Sequence, residues 1–397
     1  QKSAVNTMDV QTGEKLETCG HLSNLDKLTN DWQENEDRTS CGAYDHVQPQ
    51  PGANLFVAKG VRHLTDAGDF TGAYRNGSPQ AECALPTLRT KENGNFFRSP
   101  CVTHSEINGV DDWVLFTQNA GTDPVTEMVI FDQLPVAGDQ YLIGSATRGS
   151  NFRPQITGPV KIVAPEGVTF KTEVTYAVDV CAGTWTQLGT GIACGEDDWV
   201  LDSADTAWDK VSGLRITANF ANAPGQALAP GEAIEVHYSS KNIISTERDE
   251  SGSSRAISAD NQLAINQFGV QYRYSGTKGN NEKIAPYIVG VDLPTGSLVV
   301  TKEITGAAAE HAPASFLADV SCMHGDTPLL MGNQGTVELN KANDFGAEVT
   351  GILLGSECAV VEETKTGGAV KIDLGESVLI NQDVQETPII TVTSTFD

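Results

Sequence analysis

Basic charge is scarce in this chain. There are 26 Lys and Arg against 52 Asp and Glu, a net charge of −26. The few cations form no run or patch able to neutralise a phosphate backbone, which excludes nucleic acid as a partner. Long apolar stretches are missing as well. None approaches the roughly eighteen apolar residues that a membrane-crossing helix needs, so no membrane insertion is expected. GxSxG, HExxH and phosphate-cradling glycine loops are absent, and the 7 histidines show no pair at ligand spacing, so no enzyme is expected. A carboxylate pair hidden among the acids would leave no sequence signature. Gln1 is not an initiating Met, and neither a signal peptide nor a terminal sorting signal is legible. The expectation is therefore a mature or excised segment, with further domains of the same chain beyond one or both ends.

What the chain does have is the vocabulary of strands and tight turns. Thr, Ser, Gly, Asn and Val dominate, with 39 Gly and 17 Pro against only 4 Met. The stretch WVLFTQNAGTDPVTEMVIFDQLP, residues 113–135, sets two β-like runs around a turn-rich insert and ends on Asp132 before Leu-Pro. Further runs read as strands: LFVAKGV from Leu55, TFKTEVTYAVDVC, SGLRITANFA, GEAIEVHYSS, LAINQFGVQYRY and KIAPYIVGVDL. Spaced strands without βαβ alternation predict an all-β chain of tandem antiparallel β-sandwich domains, Ig-like or prealbumin-like.

The domain reading has three parts. Residues 1–50 form a polar N-terminal extension, with one short helix expected around LSNLDKLTNDW. Residues 51–292 form a large β-sandwich region, with 54–158 and 159–292 as subdomains if the repeated DDWV at 111–114 and 197–200 marks a duplication. Residues 296–397 form a small Ig-like domain of seven short strands. Eight cysteines, Cys19, Cys41, Cys83, Cys101, Cys181, Cys194, Cys322 and Cys358, contain no C-x-x-C knuckle. Loop-length gaps between neighbours point to disulfides in an oxidising, extracytoplasmic location. Spacing leaves connectivity open, but pairing 19–41, 83–101, 181–194 and 322–358 keeps each loop within one domain.

Two stretches carry a family resemblance. The 113–135 stretch resembles the "N-x-G … D-x-LP" core of repeated β-sandwich domains in Gram-positive, especially actinobacterial, surface proteins. Residues 296–397 open with GSLVVTK and close with ITVTSTF. They resemble the DUF5979-type modules found in tandem near the wall end of such proteins, and look like pilin B-type domains. The resemblance implies a secreted, cell-wall-associated adhesin or stalk segment at the cell surface, non-enzymatic, attaching to a protein or glycan ligand of a host or environmental surface. A pilus subunit is the neighbouring alternative. LPTG at 293–296 is followed by no hydrophobic tail and is not a sortase signal.

Pilin modules of the type resembled can carry a Lys–Asn isopeptide bond, which needs a buried carboxyl beside the amine. Burial raises the acid's pKa and lowers the lysine's, leaving a neutral amine to attack a polarised amide. In the C-terminal module Lys302 and Glu362 stand at the family positions, but Ser394 replaces the Asn and offers no acyl carbon. Asn381 and Asp397 do not match the motif, so Lys302 reads as an ordinary edge-strand lysine over a disulfide-stapled core. In the larger region Lys59, Asp132 and Asn266 follow one another as in the pilin A-type triad, and AINQFGV resembles the "W-N-S-F" strand that ends comparable domains. The alternative has Asp132 capping a turn, Asn266 in a bulge and Lys59 in solvent.

Two other constellations deserve placing. Asp197, Asp198, Asp202 and Asp205, with Glu196 and Asp209 nearby and Asp111, Asp112 and Asp123 elsewhere, offer hard oxygen ligands suited to Ca²⁺, though none fits the twelve-residue loop pattern. Charge runs are more often solvated loops. Trp185, Trp199 and Trp208, like Trp113, offer flat faces for sugar rings in a lectin-like module, Trp185 and Trp199 being the most exposed by position. A strand Trp is more often core.

Overall fold

A computed structural model describes residues 16–18, 45–47, 54–63, 72–74, 83, 86–91, 94–142, 146–177, 198–243, 263–275, 282–329, 335–364, 367–381 and 387–397. The expected helix near LSNLDKLTNDW lies outside these residues, as do Cys19, Cys41, Cys181, Cys194, Trp185 and Asp197. The fold is all-β: among the described residues the only helical elements are short 3₁₀ turns such as Trp208–Lys210. Within residues 1–50, Leu16–Thr18 and Asp45–Val47 pair as two antiparallel strands.

Nine principal strands build the large sandwich: β1 (Leu55–His63), β2 (Cys101–His104), β3 (Val110–Asn119), β4 (Val125–Gln133), β5 (Thr169–Thr175), β6 (Gly213–Asn219), β7 (Ala233–Lys241), β8 (Leu263–Tyr274) and β9 (Val289–Asp292). One sheet runs β7-β3-β1. The other runs β5-β6-β4-β8-β9-β2, antiparallel except for the parallel β9/β2 pair. β3 lies between β1 and β7, and β4 lies between β6 and β8. Both sheets thus cross residue 158, and the two subdomains considered from the DDWV echo are one sandwich.

Side chains alternate across a strand, so strand parity fixes what enters the core. Val57 and Val61 of β1, Trp113 and Leu115 of β3, Met128 and Ile130 of β4, Ile234 and Val236 of β7, and Ala264, Phe268 and Val270 of β8 share one apolar cluster. On the other face of β1, Ala58 packs with Val114, Leu88 and Phe96. There a Cβ on Gly60 would stand 2.7 Å from the Phe96 Cβ, so only glycine lets the Leu88–Thr90/Gly94–Phe96 hairpin close down. The Cys83–Cys101 disulfide sits beside it, packed with Phe97.

The C-terminal unit has its own pair of sheets. β10 (Thr295–Thr305), β11 (Ser315–His324), β12 (Thr336–Asn340), β13 (Gly346–Leu353), β14 (Glu357–Thr364) and β15 (Ile389–Thr395) are its main strands. One sheet runs β13-β10-β15, with β10 and β15 parallel; in the other, β11 pairs with β12 and β14. The expected Cys322–Cys358 disulfide bridges facing residues of β11 and β14. Leu298, Val300, Phe316, Val320, Val349, Val360, Ile390 and Val392 fill the space between.

A buried Lys-Asp-Tyr-Asn cluster as the candidate functional site

The parity that sends Val57 and Val61 inward also sends Lys59 inward. It places Asp132 after Ile130, Tyr238 after Val236 and Asn266 after Ala264. Four polar side chains from two facing sheets therefore meet where apolar ones are expected. Lys59 is 1 % exposed, and Asp132 and Asn266 are 0 %. That excludes the reading of Lys59 as a solvated lysine, and Asn266 sits within the continuous β8 ladder.

The contacts are specific. Lys59 Nζ donates to Asp132 Oδ1 at 2.8 Å and Oδ2 at 2.6 Å, and to the Tyr238 hydroxyl at 3.2 Å. The Tyr238 hydroxyl donates to Asp132 Oδ2 at 2.9 Å and accepts from Asn266 Nδ2 at 3.0 Å. One phenol oxygen thus touches the amine, the carboxylate and the amide nitrogen. Trp113 closes the pocket, stacked on Tyr238 at 6.1 Å with its ring centroid 5.4 Å from Lys59 Nζ. Its indole N–H is fixed by the Ser240 hydroxyl at 2.8 Å.

Electrostatics follow from the burial. Loss of solvent takes the Lys59 pKa from 10.5 down to about 8; Asp132 opposes the fall and the Arg148 charge adds to it. Tyr238 is pushed well above its ordinary value, chiefly by burial and then by the Asp132 charge, so its hydroxyl keeps its proton. The site therefore holds an amine that is easily made neutral, beside a proton acceptor and an amide.

On the amide oxygen converge two donors. Arg148 Nη1 lies 3.2 Å from Asn266 Oδ1, and the backbone N–H of Gln267 lies at 2.6 Å. Arg148 is fully buried, donating to the Gln133 and Leu134 carbonyls and paired with Asp139 at 2.7 Å. Sequence reasoning missed both Tyr238 and Arg148. Tyr238 had a signal, because it continues the inward parity of Ile234 and Val236. Arg148 stands in a turn-rich loop without periodicity and had none.

In the C-terminal unit Lys302 is not an edge-strand lysine. β10 lies between β13 and β15, and Lys302 continues the inward parity of Leu298 and Val300, 8 % exposed. Its amine donates to the Ser394 hydroxyl and sits 4.6 Å from the Phe316 ring centroid. Lys302 and Ser394 are therefore in contact, with no acyl carbon for the amine to attack.

Among the described residues no group of three His, Cys, Asp or Glu converges as a metal centre. Asp202 accepts from the Thr206 hydroxyl within its own turn. Asp111 is buried against His63 and Asn242, and Asp112 pairs with Arg62 and Ser239. Trp199, expected to be exposed, is 8 % exposed: it packs edge-on against Phe131 and under the Arg215 guanidinium. Trp208 is partly buried against the core.

Comparison with known proteins adds the following. Residues 298–397 match the family model described as a domain of unknown function (DUF5979). No curated protein matches the chain. Among solved structures the chain is similar to BcpA, the major pilin subunit of Bacillus cereus, at 10% identity and TM-score 0.36, over 93% of this chain and 78% of that one. It is similar to the full-length major pilin SpaD of Corynebacterium diphtheriae at 10% identity and TM-score 0.26, over 79% and 71% of the two chains. It is also similar to the pilus backbone protein RrgB of Streptococcus pneumoniae at 14% identity and TM-score 0.22, over 85% and 56%.

Proposed function

We propose that the chain is a non-enzymatic segment of a Gram-positive cell-surface stalk or adhesin, whose large sandwich locks itself with a Lys59–Asn266 isopeptide bond. The observation that carries this reading is the burial of an amine, a carboxylate and an amide on one phenol oxygen, in a core that apolar residues would otherwise fill. Such a cluster stabilises little by itself, since desolvating charges offsets their attraction. It is explained when the groups react. The motifs of residues 113–135 and 296–397 supply the surface-protein context.

The chemistry balances without an outside reagent. Asp132 takes a proton from the Lys59 ammonium, and the neutral amine attacks Cγ of Asn266. Asp132, with Tyr238 holding the amide nitrogen, passes that one proton to the departing nitrogen, the C–N bond breaks and ammonia leaves, while the attacking nitrogen gives up its second proton to the freed carboxylate. The product is a secondary amide joining β1 of one sheet to β8 of the other.

The test is an accurate intact mass of the reduced protein, followed by peptide mapping. A mass lower than the sequence mass by one ammonia, with Lys59 and Asn266 peptides joined, is expected. A reduced mass equal to the sequence mass refutes the crosslink.

A further inference from the structure

We infer that Arg148 and the backbone N–H of Gln267 form an oxyanion site that activates the Asn266 amide for attack by Lys59. The inference rests on the crosslink proposed above and assigns its electrophilic half.

Attack on Cγ moves an electron pair onto Oδ1, and the negative charge that develops there needs donors already in place. Two are. Arg148 Nη1 and Gln267 N point at this one oxygen, at 3.2 Å and 2.6 Å. The guanidinium cannot swing away, because its two terminal nitrogens are held by the carbonyls of Gln133 and Leu134 and by Asp139. Asp139 is held in turn by the Val136 N–H at 3.1 Å and the Ser150 hydroxyl at 2.7 Å. The same hydroxyl accepts from the N–H of Ile265, the residue before Asn266. The loop after β4 is thus tied to the part of β8 that carries the electrophile, with the cation aimed at its oxygen. Burial pushes the Asp139 carboxyl upward and Arg148 opposes that push, as a deliberately paired buried couple requires.

A purely structural Arg148 would tie the loop to backbone carbonyls, and two of its contacts do so. The contact with the reacting oxygen, shared with a second donor, is what that role leaves unexplained. When the tetrahedral species collapses, the electron pair returns from Oδ1 to re-form the carbonyl as ammonia departs, and Arg148 is unchanged.

The experiment uses the full chain, purified denatured and reduced before it has folded, then refolded in a glutathione redox buffer. Ammonia loss is followed by intact mass, and folding by tryptophan fluorescence on the same samples. Arg148→Met is expected to fold at the wild-type rate while losing ammonia about 10²–10³ times more slowly, the usual effect of removing one oxyanion donor. The defect should persist on both sides of the Lys59 pKa of about 8. An unchanged rate, a delay that only mirrors slower folding, or a defect abolished at alkaline pH would each overturn the assignment. If Arg148→Met does not fold, the unreacted Lys59→Met protein decides through selectively ¹³Cγ-labelled asparagine. An Asn266 carbonyl carbon shifted downfield of the other asparagines supports the oxyanion site, and one within their range overturns it. Wild-type protein that loses no ammonia refutes the crosslink itself, a result distinct from all of these.

Discussion

Asp132→Asn isolates the crosslink from the packing around it. The side chain keeps its size, and its oxygen still accepts from Lys59 and Tyr238, but it can no longer relay a proton from the attacking nitrogen to the departing one. The buried amine is not stranded as an ammonium, since Asp132 is what holds the Lys59 pKa up against desolvation. The expected protein is folded, with its reduced mass equal to the sequence mass. A bond from Lys59 to Asn266 closes a loop of roughly 200 residues, and the loop-entropy relation assigns such a closure about 5 kcal/mol of stability. At about 2–4 °C per kcal/mol for a domain of this size, the sandwich should melt about 10–20 °C lower. Scanning calorimetry beside intact mass reads both effects on one sample. Retention of the ammonia loss would show that Asp132 is not the proton acceptor. A lost bond with melting unchanged would show that the crosslink does not constrain the unfolded chain.

Asn266→Ala leaves Lys59 unreacted, so its titration should appear in stability. Its folded pKa of about 8 lies below the ordinary 10.5. Between these values the unfolded chain binds more protons, so stability should rise with pH across this window, by up to about 3 kcal/mol. Denaturant titrations at the two ends measure it, and a flat profile would place the folded pKa near its ordinary value. Ser394→Asn should give the buried Lys302 amine an acyl carbon, with Glu362 on the facing sheet, and produce one further ammonia loss by mass. No further loss would refute the view that only the acyl carbon is missing there. Replacing Cys322 and Cys358 with Ala opens the bridge between β11 and β14, whose sequence separation is 36. The loss should be about 4 kcal/mol by the same loop relation, read as a lower melting transition of the C-terminal unit.

The all-β architecture was legible because period-two alternation and Gly/Pro punctuation are local signals. The chain order Lys59, Asp132, Asn266 was legible only through resemblance, since nothing local says that β1 and β8 face one another. Once strand parity is known, the inward positions of all three follow from Val57, Ile130 and Ala264. Arg148 stayed hidden because its position depends on a loop fixed by Asp139 and Ser150 rather than by any pattern. The DDWV echo misled for a related reason. Asp111 and Trp113 are core positions of β3, whereas Trp199 caps Phe131 at the far side of the other sheet. Four shared letters did not reflect a shared environment.

The interleaving of strands has a consequence for how the molecule matures. β3 waits for β7, which ends at Lys241, and β4 waits for β8, so the two sheets are not both provided with their central partners until residues beyond 260 are available. During N-to-C synthesis or passage through a channel, Lys59 emerges long before Asn266. Contacts this distant in sequence make closure slow and late. The sandwich must therefore remain an open chain for most of its emergence, with the Cys83–Cys101 clasp among the few local ties within reach. A bond between Lys59 and Asn266 would then be the last event of that process, a covalent record that the chain had emerged through β8 and folded.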